Sequence, residues 1–176
     1  MKNFKINPLL SFVFVAMLTV LYFSSCQHDK CKARNVQCQN LGVCRDGECI
    51  CTAGYEGDSC QFPVNKKFGS FYAAIRTTQV NNGNKVDNDD TLKVTAKANR
   101  YEIKVVSIRD SLTFAGWNAS VNDNFITIPE QTIGTTIYSG NGSLNGSIIT
   151  ISVNSTDPFT NNNTKTTYVG YKFEYP

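Results

Sequence analysis

Six cysteines crowd into thirty residues, at Cys31, Cys38, Cys44, Cys49, Cys51 and Cys60. Nothing else in the chain restricts its folding so strongly. A segment this short cannot bury enough apolar surface to order itself, so it takes covalent staples. The gaps of six, five, four, one and eight residues leave fifteen pairings open. Zinc fingers place cysteines in pairs with two-residue gaps. That spacing is absent, and only His28 offers a nearby nitrogen ligand, so a zinc cluster is the weaker reading.

Disulfides need an oxidising compartment, and the N-terminus reads as an export address. Met1 to Asn7 carries two lysines and no acid, and Leu9 to Phe23 is an almost unbroken apolar run. The run has signal-peptide length and falls short of the roughly 20 residues of a spanning helix. Ser24-Ser25-Cys26 follows, and a small pair before cysteine resembles the bacterial lipobox, with Phe23 where leucine is usual. The resemblance implies that Cys26, the seventh cysteine, becomes the acylated first residue of the mature chain. Residues 1–25 are then a lipoprotein-type signal peptide and 26–30 a lipid-anchored linker. The expected location is the cell envelope, at the outer membrane, facing the periplasm or the cell surface.

Within the cluster, Cys49, Cys51, Gly54, Tyr55, Gly57 and Cys60 meet the motif C-x-C-x-x-G-Y-x-G-x-x-C, and Asn40 and Gly42 lie between the second and third cysteines. Residues 31–61 thereby resemble an EGF-like domain. The resemblance implies bridges Cys31–Cys44, Cys38–Cys49 and Cys51–Cys60. Asp46-Gly47 is a turn signal between two short strands. Gly54 and Gly57 suit turns with close backbone packing, and Tyr55 supplies the ring that covers the minor sheet. Calcium-binding members carry oxygen ligands just before the first cysteine. Here Lys30 occupies that position, and only Asp29 and Gln27 offer oxygens against the six or more that calcium takes. No metal is expected.

After a connector at 62–68, cysteine disappears and a period-two alternation takes over, the mark of half-buried strands. Leu92, Val94 and Ala96 alternate with Lys93 and Thr95; Ile149, Ile151 and Val153 alternate with Thr150 and Ser152. Eight strands are predicted, near 69–79, 91–98, 100–108, 112–121, 125–133, 136–144, 147–154 and 165–175. Hairpin signals stand at Asn82-Gly83, Asn122-Asp123-Asn124, Asn141-Gly142 and Asn145-Gly146. Short connections favour an antiparallel meander. The fold class is mainly β, with residues 69–176 an eight-stranded up-and-down barrel and a two-sheet sandwich as the alternative. Residues 118–153, with Ile126 to Gln131 (ITIPEQ) and Tyr138-Ser139-Gly140, are similar to C-terminal domains of small Bacteroidetes lipoproteins described as lipocalin-like. Lipocalins carry G-x-W near the first strand; here Gly69-Ser70-Phe71 stands there, and the sole tryptophan is Trp117.

No catalytic constellation is visible. His28 is the single histidine, so Ser-His-Asp and Cys-His arrangements are excluded from the barrel. The run Asp87-Asn88-Asp89-Asp90 reads as a solvated hairpin loop rather than a calcium loop, whose ligands alternate. An enzyme reading would rest on Glu102, Asp123 and Glu130. Asp90-Thr91-Leu92 and Asp110-Ser111-Leu112 resemble the sites at which Bacteroidetes attach O-glycans, which makes Thr91 and Ser111 candidate acceptors. Of the net charge of +3, Lys2 and Lys5 supply two; without them 15 basic residues face 14 acidic ones. No basic cluster favours nucleic acid.

The expectation is an envelope lipoprotein, not an enzyme and without cofactor, displaying a binding or adhesion barrel on an EGF-like stalk. Besides the membrane, its partner would be a surface protein, a glycan or a small apolar ligand. The last defines the alternative, a lipocalin-like carrier, for which Phe71, Ile103, Trp117, Ile137 and Tyr171 are the residues to place inside or outside the lumen.

Overall fold

The computed structural model describes residues 30–110 and 115–173. The leader, Cys26, His28 and Ser111 lie outside them. In the cysteine module a short helix α1 (Lys30–Ala33) precedes a hairpin of β1 (Val43–Arg45) and β2 (Glu48–Ile50). Its turn residues Asp46 and Gly47 both have positive φ, 54° and 90°, as a type I′ turn requires. The bridges are Cys31–Cys44, Cys38–Cys49 and Cys51–Cys60, the pairing that the EGF resemblance implies.

A second pair, β3 (Tyr55–Glu56) with β4 (Phe62–Pro63), completes the module. Residues 62 and 63 are therefore part of it, although the sequence suggested a connector. Nor are residues 64–68 a tether. They form a 3₁₀ helix, Val64–Phe68, with Val64, Asn65 and Phe68 buried. Residues three apart eclipse on such a helix, so Asn65 and Phe68 share one face, and that face closes an end of the barrel.

The barrel strands are β5 (Ser70–Val80), β6 (Lys85–Ala96), β7 (Glu102–Ser107), β8 (Trp117–Asn122), β9 (Phe125–Ile133), β10 (Thr136–Asn145), β11 (Ile148–Asp157) and β12 (Asn162–Phe173). Each pairs antiparallel with the next, and β12 returns to β5 in a register from Thr164↔Val80 to Phe173↔Phe71. The sheet is thus a closed up-and-down barrel, not a sandwich, and closure leaves no open edge.

Two expectations about turns are corrected. The run Asp87–Asp90 is strand, not a solvated hairpin loop. It pairs with β5 (Arg76↔Asn88, Ala74↔Asp90), and the turn lies earlier, where Asn81 and Asn82 take positive φ. Asn141-Gly142 lies inside β10 and makes no hairpin. A Cβ at Gly140 or Gly142 would collide with the Ser152 or Thr150 carbonyl of β11, so glycine there serves close strand approach.

Alternation sorts the side chains. Tyr72, Leu92, Ile103, Val105, Val121, Ile126, Leu144, Ile149 and Ile151 fill the lumen above the plug. The Tyr72 hydroxyl donates to the Phe68 carbonyl at 2.9 Å, tying plug to wall. Small interior residues (Gly140, Gly142, Gly170, Ala74, Ala119) sit among large ones, the way narrow barrels accommodate their bulk.

Candidate ligand-binding cup

Plug and EGF-like module share one end of the barrel, and contacts there are specific. The Arg100 guanidinium lies 5.0 Å from the ring centroids of both Tyr55, in the module, and Tyr101, in the barrel. Gly54 has φ of 91°, and a Cβ on it would strike Arg100 and Tyr101. The module thus needs glycine at this position for two reasons. Lys67 bridges Glu56 of the module at 3.0 Å and Asp123 of the β8–β9 turn at 3.4 Å. Asn65 is buried, and its amide Nδ2 donates to the carbonyls of Lys97, Asn99 and Glu102 at 2.9–3.0 Å.

Towards the opposite end the interior changes character. Arg76 follows Tyr72 and Ala74 on the inward face of β5, and its Nη1 meets Asp110 Oδ2 at 2.6 Å and Asp90 Oδ2 at 3.9 Å. Asp90 is fully buried behind this pair, where Ser107 donates to it at 2.7 Å and the Thr91 amide at 2.6 Å. Trp117 makes edge contacts with Tyr138 and Tyr168, centroids 6.3 and 5.9 Å apart. The Arg76 guanidinium lies 5.9 Å from the Tyr168 ring. Burial pushes the Tyr168 hydroxyl well above its usual pKa, with Asp90 and Asp110 adding to the rise and Arg76 opposing it.

Arg76, Asp110, Trp117, Tyr138 and Tyr168, with Val153, Ser155, Thr164 and Thr166, line a cavity of ≈ 240 Å³ towards the end away from the plug. Beside it a depression of ≈ 490 Å³ shares Ser155 and Thr164 and adds Gln79, Asn81, Asn154 and Asn163. The cup can offer the half-buried Tyr138 ring, hydroxyls and a donor–acceptor ion pair to something small. It does not present the wholly apolar lumen that an apolar ligand prefers, because covering the ion pair without replacing its water is costly.

Of the residues to place, Ile103 and Trp117 are interior. Phe71 is outside, against Phe173 with Lys93 over its ring. Tyr171 is outside and 62% exposed, and Ile137 alternates with the inward Tyr138. The three carboxylates of the enzyme reading are not in the cup. Glu102 pairs with Lys97 at 2.9 Å, which together with the Asn99 amide holds its pKa below the usual range. Asp123 pairs with Lys67 at the plugged end, and Glu130 is exposed on β9. Thr91 lies on β6, half-buried, with Asp90 directed inward rather than displayed. Sequence reasoning missed Arg76, Asp110, Tyr138 and Tyr168; a cation on the Tyr72–Ala74 parity was the available signal.

The Teneurin-like EGF domain family model matches residues 35–63. No curated protein matches the chain. A solved structure from Bacteroides ovatus, a structural genomics protein of unknown function, is similar at 12% identity and a TM-score of 0.39. The match covers 57% of this chain and 41% of that one. The family match and the three bridges together make the cysteine-rich segment an EGF-like module, which here is joined to a closed eight-stranded barrel.

Proposed function

We propose that this protein is a bacterial envelope lipoprotein, tethered through Cys26, whose barrel binds a ligand or surface partner without turning it over. One observation carries the reading: the cup opens at the end of the barrel opposite the plug and the EGF-like module. A chain anchored by its N-terminus would hold the module nearer the lipid and leave the cup accessible. A carboxyl-terminal barrel on a stapled spacer suits display, and an acylated cysteine anchors through about 0.8 kcal/mol per buried methylene. The carrier alternative, revised from an apolar cargo to a polar one, is favoured by the ion pair within the cup.

Intact mass of the protein extracted from its own envelope tests the reading. The expected denatured mass is that of a triacylated chain beginning at Cys26, six hydrogens light for three bridges. An uncleaved, unacylated chain would remove the anchor. Extra mass under native conditions that disappears on denaturation would identify a carried ligand.

A further inference from the structure

The geometry points to the cup as a site for a single pyranose ring, either a free monosaccharide or the terminal unit of a glycan. This rests on the reading of the barrel as a binding domain and names what it binds. Three observations converge on the chemistry. Tyr138 gives the cup a half-buried ring, packed edge-on against the buried Trp117, which in turn meets Tyr168, and an aromatic side chain at the wall suits the apolar C–H face of a sugar. Arg76 and Asp110, paired at 2.6 Å on the same cavity, offer donors beside acceptors, and adjacent hydroxyls of a pyranose answer both at once. Ser155, Thr164 and Thr166 add hydroxyls across the opening.

Size and charge exclude the competing classes. A cavity of ≈ 240 Å³ lies below the roughly 300–1,000 Å³ of drug-sized sites, so one small ring fits it, and the polar side chains of the cup and of the adjoining depression disfavour an extended acyl chain. A simple anion would meet Asp110 and Asp90 along with Arg76. A simple cation would have to displace Arg76 from Asp110. A neutral polyol can bond to this partly exposed pair without separating it, so that neither charge is left unpartnered beneath the ligand. Asp90 and Ser107, both fully buried, hold the pair from behind, so the polar groups are pre-positioned rather than gathered by the ligand. The adjoining depression, with its Asn and Gln side chains, gives a second unit of a glycan somewhere to lie.

Trp117 is the single tryptophan of the chain and lines the cup, so emission excited selectively from tryptophan originates at this site. The full chain in detergent is titrated with free hexoses, hexosamines, deoxyhexoses, uronic acids and pentoses, and with oligosaccharides ending in each. Choline, acetate and laurate serve as comparison probes. A saturable spectral shift with at least one sugar is expected. Asp110→Asn and Ser155→Leu should weaken it about tenfold or more, from the loss of a charge-assisted bond or the filling of the rim, while the β-sheet circular dichroism of the unliganded protein is unchanged. Equal affinity for the monosaccharide and its oligosaccharides assigns a free sugar; a tenfold preference for the oligosaccharide assigns a glycan end. Saturation by choline, acetate or laurate instead of any sugar overturns the sugar assignment and leaves the barrel a binding domain. Silence from every probe, with no ligand mass in the native protein, overturns both.

Discussion

Gln131 stands in for backbone. Pro129 has no N–H to give the β8–β9 ladder, and β9 carries an extra residue here, with the β10 register shifting between Tyr138 and Gly140. The Gln131 side chain fills the gap: Oε1 accepts from the Asn118 amide at 3.0 Å and Nε2 donates to its carbonyl at 2.8 Å. Gln131→Ala should lower stability by about 1 kcal/mol, read as a urea midpoint shift, while Glu130→Ala leaves the midpoint unmoved. Asn65 is a stricter case, since its amide faces three carbonyls inside the plug. Asn65→Leu leaves those carbonyls short of a donor, at about 1–3 kcal/mol. Asn65→Asp sets a buried carboxylate against them and should cost more, at least about 3 kcal/mol. Thermal unfolding of the two variants checks the order.

At the scale of an element, the plug is held to the barrel wall by Tyr72, whose hydroxyl pKa burial pushes up to about 12. Tyr168 is raised further by the same cause. In the unfolded chain both titrate near 10. The folded protein therefore keeps protons that the unfolded chain loses, and stability must fall as pH rises above about 10, while the contribution is whole below it. Each pH unit costs up to about 1.4 kcal/mol per tyrosine. Urea unfolding between pH 9 and 12, buffered at about one-unit steps, should show the midpoint dropping. Tyr72→Phe should flatten part of that slope and cost about 1 kcal/mol at neutral pH, because the Phe68 carbonyl loses its donor. An unchanged slope would mean that the hydroxyl is not held neutral by the plug.

For the whole molecule, the division of covalent labour predicts how it comes apart. All three bridges lie in the module, and no cysteine follows Cys60. The barrel instead rests on a closed ladder and an apolar core above Phe68. Reduction should unfold the module while the Trp117 emission and the barrel's β-sheet circular dichroism persist. Collapse of both signals together would show that the barrel needs the module's staples. The junction can be probed by Arg100→Ala, which removes the guanidinium from the Tyr55 and Tyr101 rings that it joins. Trypsin should then cut after Lys66 or Lys67 faster than in the parent chain, with barrel unfolding little changed.

Local chemistry was sufficient to specify most of the elements. The cysteine spacing with Gly54-Tyr55 and Gly57 carried the EGF-like module, and period-two alternation with short turns carried eight strands, because both depend on neighbours within a dozen residues. Local signals failed where a partner distant in sequence set the conformation. Asp87–Asp90 reads as loop until β5 supplies its ladder, and Asn141-Gly142 reads as a turn until the β11 carbonyls explain the missing Cβ. The plug looked like a tether because the carbonyls that bond Asn65 lie more than thirty residues away. The cup was illegible for the same reason. Arg76, Asp110, Trp117, Tyr138 and Tyr168 sit on separate strands or loops, and only closure of β12 onto β5 turns their shared parity into one cavity. Sequence determined which segments are strands, turns and staples; tertiary structure decided which faces point inward and what meets there, since burial and charge pairing are properties of the closed sheet and not of any one strand.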